Sequence, residues 1–131
     1  MTAHVVFSAI DPVQPATTSV TIVDQVIRGF IGFRGLLMSD DVSMGALSGT
    51  IAERSRASLA AGCDVVLHCN GKIDEMMQVA GASPALAGEA AKRAEAALLL
   101  RSAPLEFDVA EARRMFNALV GQPPAQTMAK A

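Results

Sequence analysis

Three short apolar runs recur along this 131-residue chain. They begin near residues 5, 36 and 65, so they lie about thirty residues apart, the length of one strand–helix–strand step. We interpret them as strands over 5–10, 35–39 and 64–69. Because each run is apolar on both faces, the strands are expected to be buried in a parallel sheet. The spacing therefore predicts an α/β fold built from three strand–helix units.

The remaining segments carry helix signals. Apolar periodicity and end signals predict helices over 19–31, 51–61, 73–80, 85–100 and 109–120. Thr50 and Glu53 have the form of a capping box ahead of the second helix. Ser83 is the expected cap of the fourth helix, and Asp108 is the expected cap of the last.

Composition narrows the class of protein. The formal charge is −2 with no basic tract, so nucleic-acid binding has little support. No apolar run approaches the ~18 residues of a membrane span, and the first residues show no signal peptide. Cys63 and Cys69 are expected to be free thiols in a reducing compartment. These features predict a cytoplasmic protein without metal or cofactor, with one domain over 1–121 and a flexible tail over 122–131.

Two adjacent carboxylates follow the second strand directly, in the stretch Gly35-Leu-Leu-Met-Ser-Asp-Asp-Val-Ser-Met44. Catalytic groups in parallel α/β folds lie at the carboxyl ends of strands, where Asp40 and Asp41 would be. Residue types alone leave three interpretations open: a glycosidase nucleophile or acid, a magnesium site for phosphoryl transfer, or loop carboxylates that serve the turn. Neighbouring residues of a strand point to opposite sides, so both carboxylates share one site only if the strand ends at Ser39.

This stretch, preceded by Ile31-Gly-Phe-Arg34, resembles the nucleophile signature of family 3 glycoside hydrolases. Within that family it is most similar to the bacterial cytoplasmic β-N-acetylglucosaminidases that recycle peptidoglycan. Residues 60–70 are similar to the family's next strand, and Ala9-Ile-Asp-Pro12 with Pro15-Ala-Thr17 also fits. The three matches occur in the family's order and extend over residues 3–80.

The resemblance implies a partial (β/α)8 TIM barrel, comprising its last three strand–helix units and C-terminal helices. It makes Asp40 the nucleophile that forms a covalent glycosyl-enzyme, which water hydrolyses with retention. Ser39 and Asp41 would support that residue, and Met44 would line the acetamido-sugar pocket. The implied substrates are cell-wall fragments that contain N-acetylglucosamine.

The family's acid/base loop, of Lys-His-x-Pro-Gly-His-Gly type, does not occur in this sequence. His68 is expected to be a core histidine, and His4, at the beginning of its strand, is expected on the barrel face opposite the catalytic one. We therefore expect no turnover by the chain alone. An open sheet edge would require a missing N-terminal barrel half or self-association. The rival hypothesis is a non-catalytic remnant or interaction module.

Overall fold

The computed structural model describes residues 1–121, which divide into two compact units, Met1–Arg101 and a second unit that begins at Ser102. The helices are α1 Thr21–Phe30, α2 Ile51–Ala61, α3 Ile73–Ala82, α4 Gly88–Leu99 and α5 Val109–Val120. The strands are β1 Met38–Asp41 and β2 Val65–Leu67. This is an α/β arrangement, as predicted. The partial barrel and the single domain over 1–121 stay predictions, and the predicted tail over 122–131 lies outside the described residues.

β1 and β2 pair in parallel, joined by α2, with an irregularity in the middle of the ladder. Met38 pairs with Val65 and Asp41 with Leu67, so three residue steps of β1 face two steps of β2. Such an extra residue is a β-bulge, which bends the strand and redirects side chains. The Ser39 hydroxyl accepts the Leu67 amide hydrogen at 2.9 Å, so a side chain satisfies the backbone donor there.

The predicted first strand over 5–10 is wrong. Residues 5–7 pair with no strand and residues 8–10 form a turn, in which the Ile10 amide donates to the Phe7 carbonyl at 2.8 Å. The chain instead meets β1 at Thr2, whose amide donates to the Met38 carbonyl at 2.9 Å. Two residues further along β1, the Asp40 amide donates to the Thr2 hydroxyl at 3.2 Å rather than to a backbone carbonyl. Pairing with β1 therefore lies ahead of the apolar run.

The core of the first unit forms where α1 and α2 meet the beginnings of the strands. It consists of Val23, Leu37, Ala61 and Cys63, with Ile27 packed against it. α1 is wound more widely than predicted, as a π-helix over Thr21–Phe30. α2 follows the prediction, because the expected capping box opens it and Gly62 ends it.

A buried carboxylate joins three elements on the side of the sheet where the strands begin. Asp64 Oδ2 accepts the Leu37 amide hydrogen and pairs with Arg28 of α1, both at 2.8 Å. Asp64 Oδ1 pairs with Arg93 of α4 at 2.7 Å. Burial alone would raise the pKa of Asp64, but the hydrogen bonds from Leu37, Arg93 and Arg28 and the charge of Arg28 hold it below its ordinary value.

The fourth predicted helix begins later than expected, at Gly88 rather than 85. Ser83 does not cap it, because the Ser83 amide and hydroxyl both donate to the Val79 carbonyl and so close α3. In the second unit, Asp108 caps α5 as predicted, accepting the amide hydrogens of Ala110 and Glu111 at 2.8 and 3.0 Å. None of the helices within residues 1–121 is long and apolar enough to cross a membrane.

Candidate active site

The bulge at the end of β1 gives the two neighbouring carboxylates different surroundings. Asp40 is half-buried, and its Oδ1 accepts the Asp41 amide hydrogen at 2.9 Å. Its other oxygen, Oδ2, has no hydrogen-bond partner among residues 1–121. Asp40 thus offers a carboxylate oxygen for chemistry, on a backbone that is itself hydrogen-bonded.

Both carboxylate oxygens of Asp41 accept hydrogen bonds from neighbouring residues of the fold. Its Oδ1 accepts the amide hydrogens of Ser43 at 2.9 Å and Cys69 at 3.2 Å, and its Oδ2 accepts the Ser43 hydroxyl at 2.7 Å. Burial by itself would raise the pKa of Asp41. The hydrogen bonds and nearby His68 have a larger effect in the opposite direction, so the pKa of Asp41 lies below its ordinary value. Asp41 therefore joins the segments that follow β1 and β2.

His4 contacts the backbone of Asp41 at the end of β1 and does not lie where the strands begin, so its predicted position is wrong. His4 Nε2 donates to the Asp41 carbonyl at 2.8 Å, and Nδ1 contacts the Thr17 hydroxyl at 2.9 Å. The error follows from placing the first strand at 5–10. Because the sheet is met at Thr2, His4 comes after the pairing segment and reaches the end of β1.

The loop after Asp41 is fastened by an arginine that the sequence analysis did not single out. Arg54 of α2 donates to the carbonyls of Val42 and Met44 through Nη1 and to that of Gly49 through Nε, each at 3.0 Å. Met44 itself is 46% exposed, so its side chain is accessible at the end of the sheet. No local sequence motif predicts these hydrogen bonds, because the three carbonyls belong to the loop before α2 and not to the helix itself.

The second histidine follows β2 and is paired with a glutamate. His68 Nε2 lies 2.9 Å from Glu75 Oε2, and the His68 side chain is 5% exposed. Within the described part of the chain, His68 Nδ1 is buried without a hydrogen-bond partner. Hydrogen bonds from His68, Asn70 and Lys72 lower the pKa of Glu75 to about 2. His68 is therefore half of a histidine–carboxylate pair at the end of β2.

Between residues 1 and 121, no three histidine, cysteine or acidic side chains are grouped so as to hold a metal ion. The magnesium interpretation of Asp40 and Asp41 thus gains no support from the described side chains. The roles predicted for Ser39, Asp40, Asp41 and Met44 stay predictions.

Known proteins with similar sequences are β-hexosaminidases. The chain is 49% identical over 72 residues to one from Alkalilimnicola ehrlichii, a stretch that is 53% of this chain and 20% of the relative. It is 36% identical over 105 residues to one from Idiomarina loihiensis, covering 79% of this chain and 32% of the relative. The matched segments therefore make up a fifth to a third of the length of these relatives.

Two crystal structures share the fold. The β-N-acetylhexosaminidase from Beutenbergia cavernae superposes with a TM-score of 0.60 at 36% identity, covering 74% of this chain and 32% of that one. Zinc-bound CbsA from Thermotoga neapolitana superposes with a TM-score of 0.64 at 27% identity, covering 79% of this chain and 26% of that one. Residues 1–97 match the family profile of the glycosyl hydrolase family 3 N-terminal domain. The chain therefore belongs to glycosyl hydrolase family 3.

Proposed function

We propose that this chain is the nucleophile-bearing part of a retaining β-N-acetylglucosaminidase, and that it is the C-terminal part of a (β/α)8 barrel. In this proposal β1 and β2 are barrel strands, and the segment at Thr2 lies beside β1 in place of the predicted strand over 5–10. Asp40 is the nucleophile, Ser39 and Asp41 support the turn that carries Asp40, and Met44 lines the pocket for the acetamido group. The substrates are cell-wall fragments that contain N-acetylglucosamine, in the cytoplasm. The observation that carries the proposal is the hydrogen-bonding difference between Asp40, with Oδ2 unbonded among the described residues, and Asp41, with both oxygens occupied.

The proposed reaction divides into two displacements at the anomeric carbon. Asp40 Oδ2 attacks C1 while the bond from C1 to the leaving oxygen breaks, and a second group protonates that oxygen. Water then attacks C1 and releases Asp40, so the configuration is retained. Both nitrogens of His4 are engaged with Thr17 and Asp41, which argues against His4 as the proton donor. The acid/base is therefore assigned to the upstream part of the barrel.

A leaving group that needs no proton tests the nucleophile separately from the acid/base. The probe is 5-fluoro-N-acetylglucosaminyl fluoride: Asp40 attacks C1, the C1–F bond breaks, and fluoride leaves with the bonding electrons. The chain is mixed with the upstream part of the Idiomarina loihiensis enzyme, and the adduct is located by peptide mass spectrometry. We expect the adduct on Asp40 and none in Asp40→Asn.

Asp74→Asn is the matched control, because Asp74 is an exposed carboxylate outside the site and its loss should leave labelling unchanged. An adduct on any other carboxylate would refute the assignment of Asp40. The chain alone is expected to show no turnover of an aryl N-acetylglucosaminide. Turnover by the chain alone that disappears in Asp40→Ala would show that the upstream part is not needed. The non-catalytic interaction module would be favoured if the mixture were not labelled and Asp40→Ala changed neither binding to the upstream part nor assembly with it.

A further inference from the structure

Three side chains from the beginning of the chain connect the two ends of the Asp40–Asp41 dipeptide. The Asp40 amide donates to the Thr2 hydroxyl at 3.2 Å, and the Thr2 hydroxyl lies 2.9 Å from that of Thr17. The Thr17 hydroxyl lies 2.9 Å from His4 Nδ1, and His4 Nε2 lies 2.8 Å from the Asp41 carbonyl oxygen. Together with the dipeptide itself, these contacts close a ring, called here the Thr2–Thr17–His4 ring.

The chemistry of the two backbone groups fixes the direction of the hydrogen bonds. A carbonyl oxygen only accepts, so His4 Nε2 must carry the hydrogen it shares with Asp41. In the neutral imidazole, Nδ1 is then an acceptor and takes the hydrogen of the Thr17 hydroxyl. The Thr17 oxygen in turn accepts from Thr2, whose own oxygen accepts the Asp40 amide hydrogen. Each hydroxyl donates once and accepts once, so no hydrogen in the ring lacks a partner.

The two threonines of the ring are buried, whereas His4 is half-buried. Thr17 is fully buried and Thr2 is 8% exposed, so water does not readily replace their hydrogen bonds. The Thr17 amide donates to the Ala3 carbonyl at 3.2 Å, which keeps the two loop segments side by side. Burial raises the pKa of the Cys63 thiol near these residues, so that group stays neutral and adds no charge to the ring.

We propose that His4 is a positioning residue for the nucleophile: through the Thr2–Thr17–His4 ring it holds the backbone on both sides of the Asp40 side chain and so sets the direction of Asp40 Oδ2. This proposal rests on the proposed function of Asp40. His4 is not assigned contact with the sugar, because both of its nitrogens are occupied within the ring. Its loss should therefore reduce the rate of attack at C1 and leave sugar binding unchanged.

Two substitutions of His4 separate its two hydrogen bonds. In His4→Gln the terminal amide reaches the position of Nε2 and can still donate to the Asp41 carbonyl. In His4→Asn the shorter side chain reaches only the position of Nδ1, so it keeps the Thr17 contact and loses Asp41. With the 5-fluoro glycosyl fluoride and the upstream part of the barrel, we expect His4→Asn to lower the saturating rate of Asp40 labelling ~10- to 100-fold, the effect of a small misplacement.

We expect the labelling rate of His4→Gln to stay within ~3-fold of that of the unsubstituted chain, because Gln keeps the hydrogen bond to the Asp41 carbonyl that Asn loses. The probe concentration at half-saturation should be unchanged in both variants. Thr17→Val removes the contacts of Thr17 with both Thr2 and His4 but leaves the His4–Asp41 contact, so its loss should be larger than that of His4→Gln and smaller than that of His4→Asn. Thr18→Val is its matched control, because within residues 1–121 the Thr18 hydroxyl bonds only to Gln14 and Pro15. Equal rates in His4→Asn, His4→Gln and the unsubstituted chain would overturn the proposal, as would equal losses in Thr17→Val and Thr18→Val.

Nitrogen NMR of the unsubstituted chain tests the ring without any activity. Nε2 of His4 should carry the hydrogen and Nδ1 should be unprotonated in the neutral ring, and the Asp40 amide should be protected from exchange. A neutral His4 with its hydrogen on Nδ1 would refute the ring even if every variant failed to fold. If the NMR result is as expected but no protein labels at Asp40, then the assigned nucleophile has failed and the positioning role falls with it, whereas the ring itself stands.

Discussion

Replacing Asp64 with asparagine tests the ionic contacts that join α1, α4 and the segment before β1. The Asp64 side chain is 5% exposed, Arg28 is 11% exposed and Arg93 is 25% exposed. In Asp64→Asn the amide oxygen can still accept the Leu37 amide hydrogen, but the negative charge between the two guanidinium groups is lost. The substitution therefore removes the ionic part of the cluster and nearly preserves its shape.

The exposures set the expected magnitude. Removing one partner of a fully buried pair costs about 3–5 kcal/mol, whereas an exposed pair contributes about 0–1 kcal/mol. Arg28 keeps the carbonyls of Phe33 and Gly35 at 3.0 and 2.8 Å, and Arg93 can turn towards water. We therefore expect the free energy of unfolding to fall by about 2–3 kcal/mol, which lowers Tm by roughly 10–20 °C for a domain of this size.

The dependence on pH has a definite sign. The pKa of Asp64 in the folded chain lies below its ordinary value of 3.8, so its contribution to stability is complete above that value and is lost as pH falls through the lower one. The unsubstituted chain should therefore lose stability on acidification more steeply than Asp64→Asn does. The two proteins should differ most near neutral pH and converge in acid.

Urea denaturation followed by far-ultraviolet circular dichroism measures both effects, since the chain has no tryptophan or tyrosine to serve as a fluorescent probe. Glu89→Gln is the matched control, because Glu89 and Lys92 form an ion pair in which the side chains are 67% and 73% exposed. No resolvable change is expected there. If Asp64→Asn lost no more stability than this control, or kept the original acid sensitivity, the reasoning from burial would be refuted.

Two further substitutions test the packing around the sheet. Gly62→Ala should lower the free energy of unfolding by about 2–4 kcal/mol, because its φ is +111° and a Cβ would lie 2.9 Å from Val23 Cγ1 in the core. Gly71→Ala should lower it by about 1 kcal/mol, because its φ is +73° but a Cβ there would have no described atom within 4 Å. Equal losses in the two denaturation curves would exclude the Val23 contact as the cause. Ser39→Ala should lower the free energy of unfolding by about 1–3 kcal/mol, because the half-buried Leu67 amide loses its acceptor. Ser58 is as buried as Ser39, but among the described residues its hydroxyl bonds only to the Arg54 carbonyl within α2, so a loss below about 1 kcal/mol is expected in Ser58→Ala. A larger loss in Ser58→Ala would contradict the role given to Ser39.

Features decided by neighbouring residues were predictable from the sequence. The capping box of Thr50 and Glu53 and the terminating Gly62 need only a few residues to form, and α2 has the predicted limits. The same holds for Asp108 at the start of α5. By contrast, the Ser83 side chain could either accept an amide hydrogen at the start of the next helix or donate to a carbonyl at the end of the preceding one. It donates to the Val79 carbonyl, which the sequence did not indicate.

Features decided by distant partners were not predictable. The apolar run over 5–10 has the residue types of a strand, but strand formation depends on which backbone lies alongside, and β1 pairs with Thr2. Because the pairing segment is Thr2, His4 lies beside the Asp41 carbonyl at the end of β1 and not where the strands begin. The bulge at Ser39 also left no sequence signal, because it depends on the register between β1 and β2. Residue patterns nevertheless predicted Asp40 and Asp41 near the end of a strand, although β1 includes both residues and does not end at Ser39.

The bulge in β1 also bears on how this sheet could change by mutation. A regular ladder would pair every backbone amide with a carbonyl, whereas here Ser39 and Thr2 supply side-chain oxygens to the amides of Leu67 and Asp40. Natural proteins most often break local rules of regular structure at functional sites. Deleting one residue from β1 would regularise the pairing and turn the following side chains to the other face. Regular pairing would then be gained at the expense of the present position of Asp40, so if Asp40 has the proposed role, we expect selection on that role to keep the bulge.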